Sequence, residues 1–152
     1  MTTPHLFRPF RLRGVELANR IAVAPMCQYA AVDGLPSAWH DVHLPTMALS
    51  GSALVVLEAT AVTPEGRITP GCLGIWSDAH GAEIARQVAA MKRLSPAAVG
   101  IQLAHAGRKA SSALPWQGGH QLRPSEGGWQ CVAPSAVPHD DGELAPEALT
   151  EA

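Results

Sequence analysis

Five side chains with useful chemistry follow a short apolar run near the start of the chain. The run covers residues 21–24, and the side chains after it are a proline, a thioether, a thiol, an amide and a phenol, at Pro25, Met26, Cys27, Gln28 and Tyr29. The thiol, amide and phenol can all hydrogen bond to a ligand. Both methionine and cysteine are also common inside protein cores, where they have no ligand. The stretch alone leaves open both a ligand site and an ordinary strand end.

Two later apolar runs also end in small or polar residues. Residues 53–60 and 99–103 read as strands, with Ala59 and Gln102 near their carboxyl ends. In parallel sheets these ends form one edge, where α/β folds bind ligands. A small Ala59, the amide of Gln102 and the thiol of Cys27 would suit a planar, largely neutral cofactor. No glycine-rich dinucleotide or triphosphate motif follows any of the strands.

The elements that would carry these residues alternate between strand and helix. Ser37 is a predicted N-cap for a helix over residues 38–49, and Ser77 or Asp78 is the predicted cap of a second helix. The order β-α-β-α-β predicts right-handed crossovers and a parallel sheet, with the first strand covered on both faces. Strands beginning near residues 20, 53 and 97 fit both a (β/α)8 barrel and a doubly wound open sheet.

The two ends of the chain differ from this middle part. Residues 6–17 alternate around Gly14 and predict a small β-hairpin with one buried face. Residues 106–148 form a long loop broken by glycine pairs and prolines, and Thr150 reads as the cap of a further helix. We therefore expect one incomplete domain over residues 1–152. Its parts are a hairpin cap (1–18), three βα units (19–105), the loop (106–148) and a helix start (149–152).

Composition excludes several classes of protein. A formal charge of -2 and the lack of a basic cluster argue against nucleic-acid or membrane-surface binding. No apolar run approaches the ~18 residues of a spanning helix, and the N-terminus lacks the features of a signal peptide. Three scattered cysteines without a C-x-x-C motif indicate neither a disulfide framework nor a zinc site. We expect a cytoplasmic protein.

Other chemically capable residues have plainer explanations. His40 and His43 are three residues apart on the first helix, but without a third ligand we expect surface or partner-contact histidines and no metal site. Residues 105–109 could hold an anion or form a solvated loop. Cys72 and Cys131 have no sequence neighbours that would activate a thiol, so we expect them to be inert. The tryptophans at 39, 116 and 129 are expected to pack under loops.

Several motifs together resemble the old yellow enzyme family, in particular its bacterial xenobiotic reductases and related ene-reductases, in which a cysteine follows the Pro-Met pair. The similar segments are APMCQY (24–29), EATAV (58–62), PEGRIT (64–69), GIWSD (74–78), GIQLAHAGRK (100–109) and VAPS (132–135). They occur in the family's order over nearly the whole chain.

The resemblance implies a (β/α)8 barrel, of which this chain would form the N-terminal part, with FMN at the carboxyl-end rim. It implies that NAD(P)H reduces the flavin, which then reduces an activated alkene or xenobiotic. Tyr29 would contact the substrate, and Cys27 would lie by the reactive edge of the flavin and tune its potential. Matched by position, the residues contacting FMN would be Ala24, Pro25, Met26, Cys27, Ala59 and Gln102.

The remaining parts of the family's site are expected beyond position 152. They include a substrate-binding histidine pair, a proton-donating tyrosine, an arginine on the flavin and the phosphate-binding loops, so no catalytic residue is assigned in this chain. We expect it to be inactive alone and, when complete, to form a homo-oligomer. The alternative is a non-catalytic partial barrel that associates with another chain.

Overall fold

The structure is a computed structural model that describes residues 3–150. After a short 3-10 turn (His5–Phe7), strands β1 (Phe10–Leu12) and β2 (Val15–Leu17) pair in an antiparallel hairpin. The predicted hairpin is confirmed. The predicted buried face is wrong, because only Leu17 is buried and the other five strand residues are exposed. Within residues 3–150 the ribbon pairs with no further strand that could shield it.

The predicted β-α-β-α-β order is confirmed in the middle of the chain. Strand β3 (Ala22–Val23) leads through helix α1 (Ala38–Ala48) to strand β4 (Leu54–Ala61). After the short strand β5 (Leu73–Gly74), helix α2 (Asp78–Leu94) leads to strand β6 (Ala98–Ala104). All pairings among these strands are parallel, as expected for strands joined by crossover helices.

Strand β4 lies at the centre of this sheet. It pairs with β3 on one side and with β6 on the other, and β5 pairs with its last two residues. The first strand is therefore an edge strand, two residues long, and Ala22 on it is exposed. The prediction that this strand is covered on both faces is wrong, because its outer edge and one face have no neighbouring layer among residues 3–150.

The two helices cover one face of the sheet, and the other face is open. Helix α1 begins at the predicted cap, where the Ser37 hydroxyl accepts the backbone N–H of Trp39. The last turn of helix α2 carries Lys92 and Arg93, whose charges suit the negative end of the helix dipole. The buried core between the helices and the sheet consists of Ala31, Leu44, Ala48, Val55, Leu57, Leu73, Ile84, Met91 and Ala97.

The last third of the structure is held together mainly by turns. It contains 3-10 turns at Gly107–Lys109, Pro115–Gln117 and Pro124–Glu126, followed by strands β7 (Val132–Ala133) and β8 (Glu147–Ala148), which pair in parallel. The predicted helix start covers residues 149–152, of which 151 and 152 lie outside the described residues. The two residues just before it form the extended strand β8. The described residues form an α/β structure with an open sheet, and no barrel closes.

Candidate functional site

A β-bulge at Glu58 sets which side chains face the open side of the sheet. Along β4 and β6 the register is regular up to Leu57, which pairs with Ile101, and it resumes with Ala59 opposite Gln102. Glu58 is the extra residue between them. Bulges are frequent beside functional sites because they re-aim the side chains that follow. This one places Ala59 on the same face as Val56, although the two are three positions apart.

The open face combines small side chains with an exposed amide. Residues paired directly across a ladder share a face, so Val56 and Gly100 lie beside Ala59 and Gln102. Gln102 is exposed, and its amide makes no hydrogen bond within residues 3–150. A small surface with an unpartnered amide, which can both donate and accept, suits a heterocycle with donor and acceptor atoms along one edge. These residues therefore fit the FMN that the resemblance implies.

The segment after β3 lies across the end of this face. Ala24 is exposed, Met26 is 52% exposed, and Pro25 and Cys27 are half-buried. The Gln28 amide donates to the Met26 carbonyl oxygen at 2.8 Å. Trp39 on α1 donates its indole N–H to the amide oxygen of Gln28 at 3.0 Å. Contacts from α1 therefore hold this segment at the carboxyl end of the sheet.

The Glu58 side chain forms a buried link between this segment and α1. Its Oε2 accepts the backbone N–H of Gln28 at 3.0 Å, and its Oε1 lies 3.2 Å from His40 Nε2. The side chains of His40 and Glu58 are 0% and 3% exposed. Because His40 Nδ1 accepts the backbone N–H of Ser37 at 3.0 Å, the ring proton resides on Nε2 and is donated to Glu58. The carboxylate thus receives two N–H donors.

Cys27 does not stand alone at the rim, because Cys72 hydrogen bonds to it. This bond is the main cause that raises the pKa of Cys27, followed by burial, while the backbone N–H of Ala59 opposes the rise. The same bond lowers the pKa of Cys72 to about 6. Cys72 Sγ also lies 3.4 Å from both the backbone N and the Oγ1 of Thr69. These additional donors to Cys72 act in the same direction as its bond to Cys27, so the pKa values of the two thiols move apart.

Tyr29 occupies an uncommon backbone conformation beside a cavity. Its φ is +55°, in the left-handed region that non-glycine residues seldom adopt and that occurs often at functional sites. Its ring packs edge-on against Trp116, with 5.6 Å between ring centroids. Burial is the main cause that raises the pKa of the Tyr29 phenol, and the neighbouring acidic groups, Cys72 and Glu58 among them, add to the rise. The cavity of about 220 Å³ is lined by Tyr29, Ile68, Thr69, Lys109, Ser112, Ala113, Pro115 and Gly119.

Arg67 anchors the long loop to the rim. Its guanidinium carbon lies 5.3 Å from the Trp76 ring centroid and 4.9 Å from that of Trp129. Trp129 in turn donates its indole N–H to the Glu65 carbonyl oxygen at 2.9 Å. The expectation that Trp129 packs under a loop agrees with these contacts, whereas Trp39 and Trp116 are 54% and 68% exposed.

Two expectations about individual residues are wrong. His40 is not a surface or partner-contact histidine, because it is fully buried on the face of α1 that also carries Leu44 and Ala48. Cys72 is not without activating neighbours, because the fold brings Cys27 and Thr69 to it. His43, by contrast, is half-buried and stacks on Trp39 with 5.8 Å between ring centroids.

Sequence reasoning therefore missed Glu58, His40 and Cys72 as parts of the rim. For Glu58 a signal existed, since a carboxylate within a continuous apolar strand must find donors when it is buried. His40 is four and eight residues before Leu44 and Ala48, the spacing of one helix face. For Cys72 no signal existed, because its partner Cys27 is far away along the chain.

One group of possible metal ligands lies elsewhere, at the far end of the long loop. Ligand atoms of His139, Asp140 and Glu143 lie within 4.8 Å of one another. Both oxygens of Glu143 already accept backbone N–H groups, from Gln121 and from Asp140. The group is therefore explained by hydrogen bonds that hold the loop together.

No helix in residues 3–150 combines the length and the apolar character needed to cross a bilayer.

Relatives of the chain are similar to it over almost its full length. The chain is 40% identical over 149 residues to an NADPH dehydrogenase of Geobacillus sp. (strain WCH70), covering 97% of this chain and 39% of that protein. It is 41% identical to an NADPH dehydrogenase of Listeria monocytogenes, covering 96% of this chain and 39% of the relative. The chain thus spans about two fifths of the length of the curated relatives that it matches.

Solved structures show the same relationship. Morphinone reductase superimposes with a TM-score of 0.77 at 27% identity, over 98% of this chain and 40% of that one. The old yellow enzyme homologue from Zymomonas mobilis superimposes with a TM-score of 0.73 at 27% identity, over 97% and 40%. Residues 5–141 match the model of the NADH:flavin oxidoreductase / NADH oxidase family. The chain therefore belongs to this family, whose members use FMN together with NADH or NADPH.

Proposed function

We propose that this chain supplies the first part of the FMN site of an oxidoreductase that uses NAD(P)H to reduce activated C=C bonds. The observation that carries the proposal is the placement of Ala59 directly opposite Gln102 on the open face of the sheet. A small residue leaves room for a flat ring, and an unpartnered amide can bind its polar edge. Membership of the chain in a flavin oxidoreductase family supports the same assignment.

The proposal gives each rim residue a task. Gln102 binds the polar edge of the isoalloxazine, and Cys27 lies by its reactive edge as a protonated thiol. Ala24, Pro25, Met26 and Ala59 provide close contact along the ring. When bound, FMN would supply hydride transfer between NAD(P)H and the alkene. The bond to Cys72 favours a protonated Cys27 and engages its single S–H, so the sulfur would contact the ring as a neutral, polarisable atom.

Tyr29 is the proposed substrate contact. It lines the 220 Å³ cavity next to the rim, and its phenol can donate a hydrogen bond to the activating carbonyl of a small alkene or xenobiotic. A raised pKa keeps the phenol protonated and thus able to donate. Trp116, which packs edge-on against the Tyr29 ring, closes one side of this contact.

We further propose that the chain is inactive by itself. Its open face is uncovered, with Gln102 of β6 exposed, and the chain matches only 39% of one of its curated relatives. A further segment would have to cover this face and bind the phosphate of FMN. The same exposed face favours the alternative, a non-catalytic module that associates with another chain. A complete protein of this kind is expected to be a homo-oligomer.

A chimera tests the proposal. The 152-residue chain would be produced alone and joined to the part of the Geobacillus NADPH dehydrogenase that it does not match, with that part alone as a control. The chimera is expected to bind one FMN per polypeptide and to oxidise NADPH with 2-cyclohexenone, an α,β-unsaturated ketone. The separate pieces are expected to be inactive. A folded chimera without FMN would refute the flavin site, and turnover by the 152-residue chain alone would refute its inactivity.

A further inference from the structure

The buried contact between Glu58 and His40 has a role that the family assignment does not supply. A carboxylate that is 3% exposed is costly unless it receives hydrogen bonds, and no Lys or Arg among residues 3–150 forms an ion pair with Glu58. Its two donors are His40 Nε2–H and the backbone N–H of Gln28. One donor belongs to a helix and the other to the segment that carries Cys27.

Each part of this link is oriented by the one before it. The Ser37 backbone N–H fixes His40 in the tautomer with its proton on Nε2, and the Ser37 hydroxyl lies 3.3 Å from the same Nδ1. His40 Nε2 then orients the carboxylate of Glu58, which the bulge in β4 has turned towards α1. The start of α1 thereby determines where the carboxylate holds Gln28.

We propose that His40 and Glu58 form a buried positioning pair for the segment that carries Cys27 and Gln28. His40 orients the Glu58 carboxylate, and Glu58 holds the Gln28 backbone and thereby Cys27 at the rim. The inference rests on the proposed function for its assumption that Cys27 faces FMN. Neither residue of the pair is a catalytic residue, because both act through the backbone of Gln28.

The charge of Glu58 also reaches the thiols. The pKa of Cys27 is raised chiefly by Cys72 and by burial, and Glu58 adds to the rise. Glu58 acts in the same direction on Cys72, against the bonds that lower its pKa, and on Tyr29. The groups facing Cys27 are therefore Glu58 from β4, Cys72 from the segment before β5, and Tyr29 from its own segment, with His40 behind Glu58. Positioning and charge both favour a protonated Cys27.

Two substitutions of His40 separate its two bonds. His40→Gln places an amide N–H near the position of Nε2, so it keeps the donor to Glu58 and loses the acceptor for Ser37. His40→Asn places an oxygen near the position of Nδ1, so it keeps the acceptor for Ser37 and loses the donor to Glu58. Amide hydrogen exchange in the purified protein then reports each bond separately.

The two variants should behave in opposite ways. His40→Asn is expected to speed hydrogen exchange of the backbone amide of Gln28 about tenfold, as for the loss of a charge-assisted hydrogen bond. Alkylation of Cys27 by iodoacetamide should become faster by a similar factor. His40→Gln is expected to leave both near wild type while speeding exchange of the Ser37 amide. Trp39→Phe is a matched control, because it removes only the neighbouring bond to the Gln28 side chain. It should leave exchange of the Gln28 amide unchanged.

Glu58→Gln is a further test, because it removes the charge and presents an amide to two N–H donors. Exchange of the Gln28 amide and alkylation of Cys27 should both rise about tenfold. Equal effects of His40→Asn and His40→Gln would overturn the proposal, as would an unchanged Cys27 in a folded Glu58→Gln protein. If Glu58→Gln does not fold, the His40 variants decide. None of these readouts requires FMN, so failure of the flavin assignment is separately visible as a chimera that does not bind FMN.

Discussion

Ala59 lies directly opposite Gln102 across the β4–β6 ladder because Glu58, the residue before Ala59, is bulged out of the register. One extra residue therefore does two things at once. It turns a methyl-sized side chain towards the open face beside a free amide, and it turns a carboxylate towards α1, where His40 receives it. The bulge links the proposed flavin surface to the buried pair that positions its neighbouring segment.

The first prediction concerns the amide of Gln102. In the chimera, Gln102→Leu should weaken FMN binding about tenfold or more, because the polar edge of the ring would face an apolar side chain. Fluorescence titration of the apoprotein with FMN measures the change. Gln117→Leu is the matched control, since Gln117 is exposed on a 3-10 turn and, within residues 3–150, hydrogen bonds only through its backbone. Equal affinities for the two variants would contradict the role of Gln102.

The second prediction concerns the size of residue 59. Ala59→Leu should lower FMN occupancy without unfolding the protein, because the added atoms project from the open face and not into the core. Ala59→Ser, which adds one atom, should retain most of the flavin. The measurement is the flavin-to-protein ratio after gel filtration, with urea unfolding as the stability check. Full occupancy in Ala59→Leu would show that the ring lies elsewhere.

The third prediction is a pH dependence of stability from the two thiols. The pKa of Cys72 is about 6 in the folded protein against 9.0 for an unperturbed thiol, so its contribution is present above pH 9 and is lost as the pH falls through 6. The pKa of Cys27 is raised, so its contribution is present below pH 9 and is lost at higher pH. Together they make the pair most stabilising near pH 9.

Urea unfolding of the wild type and of Cys72→Ala under reducing conditions tests this dependence. The difference in unfolding free energy should grow between pH 6 and 9 by at most about 1.4 kcal/mol per pH unit. Cys131→Ala is the control. The pKa of Cys131 is raised by burial, so its difference should stay flat between pH 6 and 8. A flat or falling difference for Cys72→Ala would contradict the lowered pKa of Cys72.

The fourth prediction concerns the anchor of the long loop. Arg67→Ala should lower the unfolding free energy by about 1–2 kcal/mol, since the guanidinium lies over two tryptophan rings. Arg67→Lys should recover part of the loss, because a charge over the rings remains. Tryptophan fluorescence during urea unfolding reports the change. Arg93→Ala, an exposed cation on α2, serves as the control, and an Arg67→Ala variant as stable as Arg93→Ala would rule out the anchor.

The sequence predicts the layout of the sheet better than the contacts within it. Apolar runs and helix caps are local signals, so the order of β3, α1, β4, α2 and β6 could be predicted. The rim of Cys27, Ala59 and Gln102 could be proposed because parallel strands share their carboxyl ends. Their contacts with FMN stay a prediction.

Other features depend on partners that periodicity does not reveal. The bulge at Glu58 is set by how β4 pairs with β6, and no single residue announces it. Histidine is a residue type expected at a helix surface, but His40 has the spacing of a buried position. Its burial is explained by the carboxylate of Glu58, which lies 18 residues later in the chain. The pKa of Cys72 is lowered by Cys27, which the fold alone brings near.

The central claim is that the open face around Ala59 and Gln102 binds the flavin ring. The most direct test is the FMN content of the chimera carrying both Ala59→Leu and Gln102→Leu, compared with the unmodified chimera under the same purification. We predict one FMN per polypeptide for the unmodified chimera and at least about a tenfold loss of affinity for the folded double variant. A folded double variant that binds FMN as tightly as the unmodified chimera would contradict the claim.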